Sequence, residues 1–172
     1  MTDVDRTVAS HGQSVVRAPG EGRVISFGDA GEAILKVVSR ESAGTMSAYE
    51  FVIPPQTAGP PLHLHRSWDE AFYVLEGEMT FLIDGLTSAA PAGSFIFIPR
   101  GIPHTFWNEG AVPAKQLTVF TPAGIEAYFE EVTRVIEAGG EDTLEAVIAL
   151  METHDMVVPP GTRPAYGALE ES

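Results

Sequence analysis

GPPLHLHRSWDEAFYVLEG, residues 59–77, is the stretch that decides the fold. His63 and His65 stand two apart, and on an extended strand side chains two apart share a face. Pro60 and Pro61 just before them disfavour helix, because proline lacks the amide proton and clashes with the preceding turn. Glu70 opens the apolar run Ala71–Leu75 and so stands at a strand start. A second stretch, GSFIFIPRGIPHTFWN at residues 93–108, adds His104. Three of the five histidines fall in these two segments. Three neutral imidazoles and one carboxylate suit a borderline divalent ion such as Fe, Mn, Co, Ni or Zn.

Together the two stretches resemble the paired motifs of the cupins. The first motif reads G-x5-H-x-H-x3-4-E-x6-G, and the second reads G-x5-P-x-G-x2-H-x3-N. His63, His65, Glu70 and Gly77 fit the first, with Gly59 displaced by two positions. Gly93, Pro99, Gly101, His104 and Asn108 fit the second without a gap. The resemblance covers about residues 45–120. It implies a mainly β fold, a small antiparallel double-sheet barrel of the jelly-roll kind. It also implies that His63, His65, Glu70 and His104 ligate one divalent transition metal per chain, and that two copies pair through their sheets as a homodimer. His11 and His154 belong to no such pattern and read as solvated.

The chain has 172 residues, 44% hydrophobic and 20% charged, as expected for one globular domain with appendages. No apolar run reaches the length of a membrane span. The polar start MTDVDRTVASHGQ lacks the apolar centre of a leader. No cysteine is present, which excludes disulfides and thiolate chemistry. A cytoplasmic location is the expectation. The formal net charge is −14. From Pro122 to Ser172 there are 11 acidic and 2 basic residues, so −9 of that charge lies in the last third. Nucleic acid is excluded as a partner, since phosphate recognition needs clustered Lys and Arg.

The expected organisation is a mobile arm at 1–12, a β-barrel at 13–121 and a C-terminal two-helix appendage with tail at 122–172. Short β-rich runs occur at Arg23–Phe27, Ala33–Val38 and Ser47–Ile53. Gly28–Gly31 reads as a turn. A hairpin is expected over Ala71–Asp84 with Glu76-Gly77 at its turn, and Asp84-Gly85 is a second hairpin signal. Ser94–Ile98, His104–Asn108 and Lys115–Thr121 complete the strands. Ala71–Leu75 and Phe95–Ile98 are apolar on both parities, so their outer face is expected to be covered by the helices, the arm or a second subunit. Thr121 and Pro122 read as N-cap and first residue of a helix, with Ile125, Phe129, Val132 and Ile136 as its stripe. Gly139-Gly140 ends that helix. Asp142, with Glu145 at the capping-box position, starts another whose stripe is Leu144, Ile148 and Met151.

Phe72 and Val74 share the parity of Glu70, and Phe106 that of His104, so these three are the candidate pocket residues. Such a pocket suits an aromatic or polyketide-like small molecule better than a sugar phosphate. Arg66 reads as surface by its parity, and Glu76 as a turn residue. The single-domain layout with a helical tail is similar to bacterial quercetinase-type cupins. That implies a dioxygenase acting on a flavonol-like or other aromatic enol, with Glu70 in a proton-transfer role. A non-oxidative metal cupin (isomerase, cyclase or decarboxylase) and a non-catalytic binder are the alternatives.

Overall fold

The computed structural model describes residues 11–140 and 143–161. Most of the expected arm, the Asp142 cap and the final eleven residues lie outside them. The described chain is mainly β, with eleven strands and three helices. It opens with β1 (Arg23–Ser26), β2 (Glu32–Val37), a short α1 (Ser39–Ser42) and β3 (Ser47–Ile53). Gly28–Ala30 form one 3-10 turn between β1 and β2. The metal-motif segment supplies β4 (Leu64–His65) and β5 (Asp69–Glu76). β6 (Glu78–Ile83), β7 (Leu86–Pro91), β8 (Phe95–Ile98), β9 (His104–Trp107) and β10 (Ala114–Thr121) follow. The chain then forms α2 (Glu126–Ala138), α3 (Thr143–Thr153) and β11 (Met156–Val157).

The strands form an antiparallel six-stranded sheet, β1-β2-β3-β10-β5-β8, facing a three-stranded sheet, β7-β6-β9. The expected Ala71–Asp84 hairpin is therefore corrected. β5 and β6 are consecutive but belong to different sheets, so Glu76-Gly77 is a corner between sheets. Gly77 has φ +72°, and a Cβ there would lie 2.9 Å from the Pro113 carbonyl oxygen, so the corner needs glycine. Glu76 ends β5 and pairs with Lys115 at 2.8 Å. Asp84-Gly85 is a two-residue hairpin turn with both φ positive, joining β6 to β7.

Burial along β5 alternates although its hydrophobicity does not. Glu70, Phe72 and Val74 face inward; Tyr73 and Leu75 face out. The helices do not cover that outer face. Tyr73 is 43% exposed, and Phe95 and Phe97 on the edge strand β8 are 67% and 57% exposed. The helices instead close the barrel mouth. Ile125, just before α2, and Tyr128, Phe129 and Val132 within it share one core with Tyr49 and Phe120 of the large sheet. α2 begins four residues later than expected, with Ile125 at its N-cap; the Thr121–Pro122 peptide is cis, and Gly124 has φ +133°. In α3, Leu144 is partly exposed while Val147, Ile148, Leu150 and Met151 pack inward. No helix among the described residues is long and apolar enough to cross a membrane.

Candidate metal centre and cavity

His63 and His104 are direct cross-strand partners. The His63 amide donates to the His104 carbonyl at 3.0 Å, and the His104 amide donates back at 2.7 Å. Side chains of such a pair share one face. Gly59 makes room for this pairing. A Cβ at Gly59 would lie 1.7 Å from the Phe106 carbonyl oxygen, so the displaced glycine of the first motif does the steric work of letting the two motif segments approach. Asn108, which ends the second motif, donates from its amide to the carbonyls of Ile53, Pro54 and Val112. Its role is to tie strand ends together.

The structure brings His63, His65, His104 and Glu70 into one buried cluster. All four are at most 5% exposed. One ring nitrogen from each of the three histidines lies within 4.8 Å of the others. Glu70 Oε2 is 3.1 Å from His65 Nε2 and 2.9 Å from His104 Nε2. β11, which the sequence reading missed, pairs with β4 and sets Met156 beside His65.

The protonation pattern tests whether a metal fits. His63 Nδ1 lies 2.8 Å from the Pro61 carbonyl oxygen, and His104 Nδ1 lies 2.9 Å from that of Ile102. A carbonyl only accepts, so each Nδ1 carries the proton and each neutral ring keeps its lone pair on Nε2. For His104 that lone pair would face a carboxylate oxygen, acceptor against acceptor. Only a cation between them, a proton or a metal ion, relieves the contact, so the donor set fits a divalent transition metal. Without a metal ion, a proton on His104 Nε2 takes that place. Burial, with the neighbouring His104 and His65, holds the His63 pKa down to about 3. Burial alone would raise Glu70, but the hydrogen bonds from His104 and His65 outweigh it and hold its pKa at about 2. Burial would lower His104, yet its hydrogen bond to Glu70 holds its pKa above the ordinary value.

The cluster opens on a cavity of about 220 Å³. Phe27, Phe51, Phe106, Phe120, Tyr128 and Phe129 supply its aromatic walls, and Met151 and Met156 supply thioethers. No Lys or Arg lines it among the described residues. Of the three candidate pocket residues, Phe106 is on the wall. Phe72 and Val74 lie in a separate apolar cluster with Met79, Phe81 and Ile98. Arg66 is exposed, and Arg100 pairs with Asp69 at 2.7 Å. His11 is exposed. His154 is not free in solvent: its ring packs on Tyr128 with centroids 5.7 Å apart, and Nε2 lies 3.4 Å from Glu131.

The sequence profile of the Cupin domain family matches residues 49–120. The chain belongs to the cupin superfamily. An uncharacterized protein of Methanocaldococcus jannaschii is 31% identical over 94 residues, 55% of this chain and 72% of that protein. Oxidoreductase iacF of Pestalotiopsis fici is 44% identical over 50 residues, which is 28% of this chain and 24% of that protein. The solved structure of an RmlC-like cupin from Shewanella frigidimarina aligns at a TM-score of 0.57 and 20% identity, covering 67% of this chain and 97% of that one. At that identity the likeness concerns the cupin fold.

Proposed function

We propose that this chain is a metal-dependent cupin enzyme, a quercetinase-like dioxygenase acting on a flavonol or another aromatic enol. One observation carries the reading. An aromatic-walled cavity with no Lys or Arg among its described lining residues opens on a buried cluster of three imidazoles and a carboxylate. A planar apolar ligand gains ring contacts there, whereas a polyanion finds no counter-charge. The short likeness to an oxidoreductase points the same way.

His63, His65, Glu70 and His104 would hold one divalent transition ion, which when bound supplies Lewis acidity to a substrate oxygen. The residues of the chain do the rest. The apolar walls orient the ligand with its enol edge toward the cluster and keep bulk water out. Glu70, ionised and 4% exposed, takes the enol proton. The O–H bond breaks, its electron pair stays on oxygen, and the proton moves to the carboxylate. The Pro61 and Ile102 carbonyls keep His63 and His104 in the tautomer that faces the site. Dioxygen is the co-substrate.

Oxygen uptake by the metal-reconstituted protein with a panel of flavonols tests this. Oxygen consumed in step with flavonol loss is the expected result. Turnover without oxygen consumption replaces the reading with a non-oxidative metal cupin, and binding without turnover with a small-molecule binder. We also propose that the protein is cytoplasmic and forms a homodimer in which a second copy covers Tyr73, Phe95 and Phe97. A monomer at micromolar concentration in light scattering would overturn the dimer.

A further inference from the structure

The cavity carries hydrogen-bonding side chains at two places. One is the His63, His65 and Glu70 wall, contributed by the strand side of the barrel. The other is Tyr128 on α2, the only other lining residue with a side-chain nitrogen or oxygen among the described residues. Tyr128 is 7% exposed, and burial pushes its phenol well above the ordinary value. Its ring packs against His154 and Phe129, at centroid distances of 5.7 and 5.6 Å. Those contacts account for an aromatic ring, and phenylalanine would make them equally well. They do not account for the hydroxyl, which hydrogen-bonds no group among the described residues. The hydroxyl is not among the fully enclosed unpartnered atoms, so it borders open space on a residue that lines the cavity, where a bound molecule can meet it.

We infer that Tyr128 is a specificity-determining residue, whose hydroxyl hydrogen-bonds a second polar group of the ligand, away from the oxygen directed at the metal cluster. This rests on the aromatic-ligand reading above. The ligand class narrows to a neutral, planar ring system with an enol edge at one end and a hydroxyl or carbonyl on an outer ring. The rest of the wall rejects charge but does not read hydroxyl position, so Tyr128 is the element that does.

The test compares wild type with Tyr128→Phe in two measurements. In the first, metal-loaded protein is titrated anaerobically with unsubstituted flavonol and with its derivatives bearing one added hydroxyl on either outer ring. Wild type should bind at least one hydroxylated derivative about three- to tenfold tighter than the parent, the scale of one hydrogen bond. Tyr128→Phe should lose that preference and bind the parent as wild type does. Equal affinities in wild type, or a preference that survives in Tyr128→Phe, overturns the inference and leaves the flavonol reading standing. If wild type binds no flavonol at all, the flavonol reading fails and the inference falls with it. The second measurement is thermal melting without ligand. The expected melting temperature of Tyr128→Phe equals or exceeds that of wild type. A marked fall would show that the hydroxyl has a partner within the chain, and would overturn the inference whatever the ligand.

Discussion

Phe72 and Phe106 are neighbours across the barrel, their ring centroids 5.5 Å apart, yet only Phe106 lines the cavity. They mark the seam between two halves of one interior. In the half around Phe72, Met79, Phe81 and Ile98, the two sheets face each other and side chains fill the space. In the half around Tyr49, Phe120 and Phe129, the sheet faces helices α2 and α3. Sheet-on-sheet packing is filled by interdigitating side chains, and the cavity lies in the half that the helices close. Both halves are built mainly from apolar and aromatic side chains. Which half keeps an open cavity goes with what closes it.

The largest expected effect comes from removing that closure. Deleting residues 122–172 strips the cover from Tyr49, Phe51 and Phe120 and removes β11 from β4. An insoluble or aggregating product is expected in a solubility assay. A soluble, metal-binding fragment with unchanged melting would show that the two halves do not differ as described.

Glu70 sits at the seam, on the same strand as Phe72 but in the cavity wall. Glu70→Gln keeps the shape and loses the basicity. Turnover per bound metal should fall by about 10² to 10⁴, the usual contribution of a general base. Full metal with near-normal turnover would remove the proton-transfer role and leave Glu70 as a ligand only.

Cavity formation should cost unequally in the two halves. Phe72→Ala, in the filled half, should destabilise by about 3–5 kcal/mol in urea unfolding. Phe27→Ala, on the cavity wall, should cost less, about 1–2 kcal/mol, because the ring already borders open space. Equal losses would contradict the contrast.

The smallest effect concerns the link between the two motif segments. The Arg100 side chain and backbone amide bind the Asp69 carboxylate, at 2.7 to 3.0 Å, and hold its pKa at about 2 against an ordinary 3.8. A depressed carboxylate contributes stability that is present above its unfolded pKa and is lost as pH falls through the folded value. Asp69→Asn should therefore melt slightly below wild type at pH 7. The difference should shrink between about pH 4 and pH 2, and it is small because the pair is half-exposed. A difference that stays constant over that range would show that packing, not charge, is responsible.

Much was legible in the chain itself, because it depends on local spacing. The β-rich run Ser47–Ile53, ended by Pro54-Pro55, marks β3 at its observed limits. His-x-His places two imidazoles on one face, and Asp84-Gly85 permits little other than a tight hairpin turn. The gap-free second motif pointed to His104 as the companion of His63 and His65. The helical stripe from Ile125 to Val132 is buried as its period requires. Asp155, in contrast, gave no signal. Its positive φ of 63° and its contacts with Ser67 and Arg66 belong to a turn that only the returning tail creates.

Sequence alone determined the elements and the chemistry each could carry, because strand alternation, helix period and turn preference are set by neighbours a few residues apart. Tertiary structure alone decided that β5 and β6 part at Gly77 into different sheets. It also brought β11 back to β4, and it turned Phe27, Phe51, Phe120 and Tyr128 toward one cavity. These outcomes depend on which distant strands find one another. That choice is made by burying apolar faces across the whole chain, and no local window of sequence records it.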